Sequence, residues 1–299
     1  MVASVVSTES TNSTASKSSS GGGGAPKPMP MAVMRNAHEV IRGAMDDIQE
    51  SIDNGDFEAA RAAWTQFNRF SDLHMKMEEG RKGSNAKGLF AMVDEHADKA
   101  ARKAGLRDHH MNLYELEEDV VDIFDKAPDI DRAREVYPIF RQENESHLKE
   151  EEDVLMPAIQ KMIKSGVPVK KYIETDIIPL LLAKEGDMEF FIKFSNEVLI
   201  RHDNVDGKPR VRVWNHALWS VATPEQWKEW DAWIKEVLPE GKYAEVDNAI
   251  QAFRNEQKAK KQAKKDAEAA KEVPPIANID VGGRSRSRSP KQFFKKIFS

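Results

Sequence analysis

The chain has no cysteine among its 299 residues. That absence removes disulfides, thiolate zinc sites, iron–sulfur clusters and thiol nucleophiles from consideration. It also lacks any run of about 18 apolar residues, the length a membrane-spanning helix requires. Positive charge is not in excess: 45 Lys and Arg stand against 50 Asp and Glu, a formal net charge of −5. No whole-molecule field would gather nucleic acid, so none is expected as a partner. The N-terminus has no charged start followed by an apolar stretch and does not resemble a secretory signal. A cytoplasmic protein is the expectation, with 40% hydrophobic residues available for a sizeable core.

Residues 1–30 are rich in Ser, Thr, Gly and Pro and read as a disordered tail. From Met31 onward apolar residues recur three and four apart, the helical period, with no convincing alternating strand. A first helix is expected over Met31–Ile52, closed by the sequence DNGD. A second starts near Asp56, a suitable N-cap, and runs to Gly80. The third begins near Leu89 and continues past His109 to Asp125. The fourth covers Asp131–Lys164, with Pro138 marking its true start or a kink. Four long amphipathic segments with short connections predict an all-α fold, an antiparallel four-helix bundle over residues 31–165. A second helical segment, rich in tryptophan, follows over residues 166–257. Within it Thr223-Pro224-Glu225-Gln226 reads as an N-cap with proline in the first helical position. Residues 258–299 form a charged helix or coil and a basic tail containing RSRSRSP. The closing KQFFKKIFS could touch an anionic membrane surface, although a solubilising tail is the simpler expectation.

The chain has 8 histidines. In LHMKMEEG, His74 precedes Glu78 by four residues. In SHLKEEED, His147 precedes Glu151 by the same step. Residues i and i+4 share a helix face, so each pair points one way. The first predicted helix adds a single His38 and the third adds His96. Four imidazoles and two carboxylates suit a pair of first-row transition ions, because carboxylates bridge two cations and offset their charge. Ions about 3.5–4 Å apart need such anions between them.

The order of these motifs resembles the hemerythrin-like proteins, or HHE cation-binding domains. The stretches that carry the resemblance are NAHEVIR, LHMKMEE, VDEHADKA and SHLKEEEDVLMP, over about Met31–Lys164. The four motif histidines are separated by 36, 22 and 51 residues. The Trp-rich segment also looks like the C-terminal extension of longer members. The resemblance implies a non-heme di-iron centre, with a bridging oxo or hydroxo group as an option. His38 and His74 would hold one iron, His96 and His147 the other, and Glu78 and Glu151 would bridge them. Two departures stand out. The family's oxygen carriers have a second histidine where this chain has Ala100. They also have an aspartate at the position of Glu152, whereas Glu151 keeps the i+4 spacing of the second helix. Simple O2 transport is therefore not the expectation. A sensor, store or oxidant-handling protein is, with O2 or a related small ligand as its partner and any protein partner unknown. Enzyme activity is left open. The alternatives are iron handling or sensing, and a metal-free helical scaffold.

The remaining histidines read differently. His109 and His110 are taken as surface residues, His202 as a cation at a helix end, and His216 as packing among tryptophans. Glu79, Glu150 and Glu152 are solvated groups or carboxylates that orient a ligand histidine.

Overall fold

The computed structural model describes residues 30–81, 86–126, 128–203 and 209–272. The expected N-terminal tail and the RS-containing end, with its membrane-contact sequence, lie outside the described residues.

Among the described residues every regular element is a helix, in line with the all-α expectation. They are α1 (Pro30–Asp53), α2 (Phe57–Glu79), α3 (Leu89–His96), α4 (Ala100–Lys103), α5 (Leu106–Val121), α6 (Ile130–Lys164), α7 (Val169–Tyr172), α8 (Ile178–Leu181), α9 (Asp187–Arg201), α10 (Arg210–Val221), α11 (Pro224–Val237) and α12 (Glu240–Glu272). Two single π-helical turns occur, Asp122–Lys126 after α5 and Ile173–Ile177 between α7 and α8.

Local chemistry explains the main boundaries. Asp56 caps α2, its carboxylate accepting from the Ala59 amide at 3.0 Å. Gly80 ends α2 with φ at +83°, a backbone state open to glycine at little cost. Asp129 caps α6 by accepting from the amides of Asp131 and Arg132 at 3.0 Å. That helix does not begin at Pro138; it runs through both Pro138 and Pro157. Thr223 and Gln226 form a reciprocal capping box at the start of α11, with Pro224 in the first helical turn.

The third predicted helix is not continuous. Asp98 and Lys99 both adopt φ of +56°, and Gly105 adopts +70°. Left-handed residues cannot continue a right-handed helix, so the chain breaks twice before α5. The Asp94 carboxylate accepts from the Arg102 amide at 3.0 Å and stitches the turn between α3 and α4.

Helix α1 packs against α2 and α6, α5 packs against α6, and α9 and α10 pack against α1. Trp64 anchors the core below the polar cluster described next. It lies against Phe67, Phe124, Tyr137 and Phe140 at centroid distances of 5.2–6.4 Å. Tyr137 donates its hydroxyl proton to the Met45 carbonyl at 3.1 Å. Phe70 of α2 stacks on Phe191 of α9 at 4.9 Å. The Trp-rich segment therefore shares one core with the helices before it rather than standing apart. Among the described residues, those up to Gln251 form one compact unit, and those from Ala252 onward, the last part of α12, form a second. In that part Lys260 pairs with Glu256, and Lys264 with Glu268, along a charged helical surface.

A Cβ added at Gly88 would collide with the backbone of Gly80 and the carbonyl oxygen of Glu78. Both partners are main chain and cannot swing aside. Gly88→Ala is expected to cost about 1–3 kcal/mol by overpacking. A denaturant melt of the variant measures it, and an unchanged midpoint would contradict the close approach.

Candidate metal centre

Four helices bring six side chains to one buried point. Helix α1 supplies His38, α2 supplies His74 and Glu78, α5 supplies His110, and α6 supplies His147 and Glu151. Relative exposure is 0% for His38, His110 and Glu151, 1% for Glu78, 4% for His74 and 6% for His147. Ionisable groups this deep are costly unless charge compensates them.

They fall into two overlapping sets. His38, His74, Glu78 and Glu151 form one, and Glu78, His110, His147 and Glu151 form the other; ligand atoms within each lie no more than 4.8 Å apart. Both carboxylates belong to both sets, and each divides its oxygens between them. Glu151 Oε2 lies 3.3 Å from His38 Nε2 and 4.0 Å from His74 Nε2. Its Oε1 lies 3.2 Å from His147 Nε2 and 3.7 Å from His110 Nε2. Glu78 Oε1 is 3.3 Å from His74 Nε2, and Oε2 is 3.4 Å from His110 Nε2.

These separations are too long or too poorly aligned for hydrogen bonds. The facing nitrogens of all four histidines and all four oxygens of Glu78 and Glu151 are buried without a hydrogen-bond partner. Such orphaned atoms are rare because each forfeits its solvation. Ligands about 2.1 Å from a common cation lie about 3–4 Å from one another, which is the spacing found. With two oxygens and two imidazole nitrogens on each side and no sulfur, the buried His/Glu clusters could hold a metal ion.

A second layer repeats the same logic. His38 Nδ1 is 3.0 Å from Glu152 Oε1, and His110 Nδ1 is 2.7 Å from Glu79 Oε1. Each lone histidine thus has its outer nitrogen held by the residue that follows an inner glutamate. That bond fixes the tautomer and leaves Nε2 facing inward. Arg42 donates to Glu152 at 2.8 Å and to Glu145 at 2.9 Å. Glu152 is drawn down to about 2: burial opposes ionisation, and His38 and Arg42 outweigh it. The four carboxylates of Glu78, Glu79, Glu151 and Glu152 carry the charge that two divalent cations would balance.

Without a cation, protons carry part of that balance. Burial works against the charged form of His38, yet Glu151 and Glu152 raise it to about 9. Burial likewise opposes charge on His110, and Glu151, Glu78 and Glu79 raise it to about 11. His74 falls to about 3 through burial and the positive His38 beside it. Burial and the charge of Glu151 push Glu78 upward. Glu151 stays well below the usual carboxylate range, because His110, His147 and His38 overcome its burial.

The structure brings together His38, His74, Glu78, His147 and Glu151 from the six residues picked out in the sequence. It does not bring His96. That side chain is exposed at the last position of α3, with Nε2 2.8 Å from the Tyr172 hydroxyl. The imidazole in the fourth place belongs to His110, so the expectation of a surface residue there is corrected. His109 is half-exposed and pairs with Glu150 at 2.8 Å. The reason is the level of the site along the helices. Helix α2 ends one residue after Glu78, so the site lies at the end of that helix. His110 is the fifth residue of α5, ~6 Å from its start at ~1.5 Å per residue. The sequence did carry one usable signal: Gly105, a helix-boundary residue placed just before LRDHH.

Comparison of the chain with protein-family models, with curated proteins and with solved structures found no match.

Replacing Glu152 with Gln is expected to lower metal affinity by about 10–100-fold, the usual cost of losing an orienting carboxylate. Metal titration against a competing chelator measures it, and unchanged affinity would remove Glu152 from the site.

Proposed function

We propose that the protein is a non-heme di-iron protein of hemerythrin-like type. In this reading α1, α2, α5 and α6 form an antiparallel four-helix bundle around two iron ions. His38 and His74 would hold one ion and His110 and His147 the other, with Glu78 and Glu151 offering carboxylate oxygens to both sides. One observation carries the reading: two carboxylates each turn one buried oxygen toward each histidine pair, without a hydrogen-bond partner from the protein. The donor chemistry supports it, since mixed imidazole and carboxylate sets suit iron and carboxylates offset the charge of adjacent ions. Iron bound here would supply redox chemistry toward O2 or a related small oxidant.

The chain's own groups have defined tasks. Glu152 and Glu79 hold His38 and His110 in the tautomer that keeps Nε2 available. Phe90 lies on the His110 ring at a centroid distance of 5.3 Å and helps fix its plane. The buried shell keeps bulk water from the six inner groups. Such a protein would serve as a sensor, a store or an oxidant-handling protein.

Metal analysis and optical absorption test the reading on protein produced with added iron, before and after air exposure. About two irons per chain are expected, as each set offers one ion four donors. Near-ultraviolet bands should develop in air and be absent from His74→Ala and His147→Ala. A colourless wild type holding zinc would overturn iron while leaving a metal site. A wild type retaining no metal would overturn both.

A further inference from the structure

Arg42 stands one helical turn beyond His38 on the same face of α1, the i+4 position. It is not a ligand, yet it reaches the carboxylate that holds His38. Its Nη1 donates to Glu152 Oε1 at 2.8 Å, and that same oxygen lies 3.0 Å from His38 Nδ1. Its Nε donates to the two oxygens of Glu145 at 2.9 and 3.0 Å. A planar guanidinium serves both glutamates of α6 at once in a fixed direction, which a lysine cannot.

The line of charge continues away from the centre. Arg42 Nη1 lies 3.7 Å from Glu39 Oε1, and the other oxygen of Glu39 accepts from Arg210 Nε at 2.9 Å. Arg210 is the first residue of α10, and its Nη1 donates at 2.7 Å to the His202 carbonyl at the end of α9. A cation is favoured at a helix C-terminus. Arg201, also at that end, donates to Asp47 of α1 at 3.1 Å. A Cβ on Gly43, next to Arg42, would come within 2.8 Å of the His202 and Val198 side chains, so α9 seats directly on this stretch of α1. From His38 outward the order is Glu152, Arg42, Glu39, Arg210, with charge alternating at each step. These four side chains are 14–28% exposed, so solvent screens their attractions less than at an open surface.

The other side of the centre is built differently. His110 Nδ1 meets Glu79, and among the described residues no guanidinium hydrogen-bonds Glu79. Arg107, which is exposed, acts on Glu79 only through space. We propose that Arg42 is a positioning residue for the His38–His74 side of the centre: it pins Glu152 against His38, and Glu39 and Arg210 carry that hold to the start of α10, so the docking of the later helices sets divalent-cation affinity on this side alone. The inference rests on the metal-site reading for its purpose, whereas the hold on His38 is a property of the chain.

Cobalt(II) is the probe, titrated against a competing chelator in the full-length, metal-stripped protein. His147→Ala leaves the His38–His74 set complete, and His74→Ala leaves the His110–His147 set complete. Arg42→Met keeps the apolar stem and removes the donors. It should lower cobalt affinity about 10–100-fold in the first background and leave it unchanged in the second. Arg210→Met should give a smaller loss with the same selectivity. An equal loss in both backgrounds, or none in either, would overturn the proposal, as would undiminished affinity in folded Arg210→Met. Should Arg42→Met fail to fold, Arg210→Met decides. Proton exchange at His38 Nδ1, followed by ¹⁵N NMR without metal, is the second readout, and it should quicken in both variants. A wild type that takes up no metal, with exchange quickened in the variants, would sink the di-iron reading and keep the hold on His38. Metal taken up alike by wild type and variants, with exchange unchanged, would sink the hold and keep the centre.

Discussion

Changing His110 to alanine is expected to cost the proposed centre one of its two metal ions, whereas His96→Ala should leave both in place. His110 Nε2 faces both inner carboxylates, at 3.4 Å from Glu78 and 3.7 Å from Glu151. Its removal leaves the His147 side with one imidazole. It also strands Glu79, whose carboxylate His110 holds below its ordinary range. The loss should exceed the ~10–100-fold that an orienting partner is worth, because a direct ligand is gone. His96 is exposed, hydrogen-bonds Tyr172 and lies outside both ligand sets, so its loss should leave the metal content as it was. Plasma emission analysis after gel filtration gives the metal ratio for both variants. Metal stripped by His96→Ala but retained by His110→Ala would refute the arrangement of α3 and α5.

Raising the pH from 7 to 9 should weaken the metal-free fold and tighten metal binding, two opposite responses from the same imidazoles. His38 and His110 are raised from 6.5 to about 9 and about 11, the inner carboxylates outweighing burial. A group raised in the folded state stabilises it fully below its unfolded value, and that stability is lost as pH climbs through the folded value. The metal-free protein should therefore melt at lower temperature at pH 9 than at pH 7. Metal binding runs the other way, because Nε2 must give up its proton to become a ligand. Each of the two imidazoles contributes about one decade of affinity per pH unit while it remains protonated, so about two decades per unit are expected between pH 7 and 9. Glu78, pushed upward by burial and Glu151, adds a further proton. Proton release into an indicator dye on metal addition, with melts at both pH values, measures both effects. An affinity that stays flat across this range would mean that the two imidazoles hold no proton to release there.

What could be read directly from the sequence was what depends on short spacing. The i+4 step alone puts His74 with Glu78 and His147 with Glu151, and Asp56 announces the start of α2 from its own side chain. Preferring Glu151 over Glu152 for the inner position follows from the same step, and Glu152 lies one residue off, beside His38. His110 was hidden because its place depends on where the chain abandons the helix after His96. That break rests on left-handed backbone at Asp98 and Lys99, and lysine is not a residue whose chemistry announces it.

The outer hydrogen bonds of the centre cross between chain halves. His38 belongs to the first helical hairpin, yet its orienting carboxylate, Glu152, sits on α6. His110 belongs to the second, and its orienting carboxylate, Glu79, is the last residue of α2. Neither hairpin can ready its own lone histidine. A nascent chain that has produced only α1 and α2 therefore holds a histidine without its tautomer lock and a glutamate without its counterpart. In the proposed centre, both orienting bonds would therefore form only once the two halves have docked, and tight metal binding would report a completed fold.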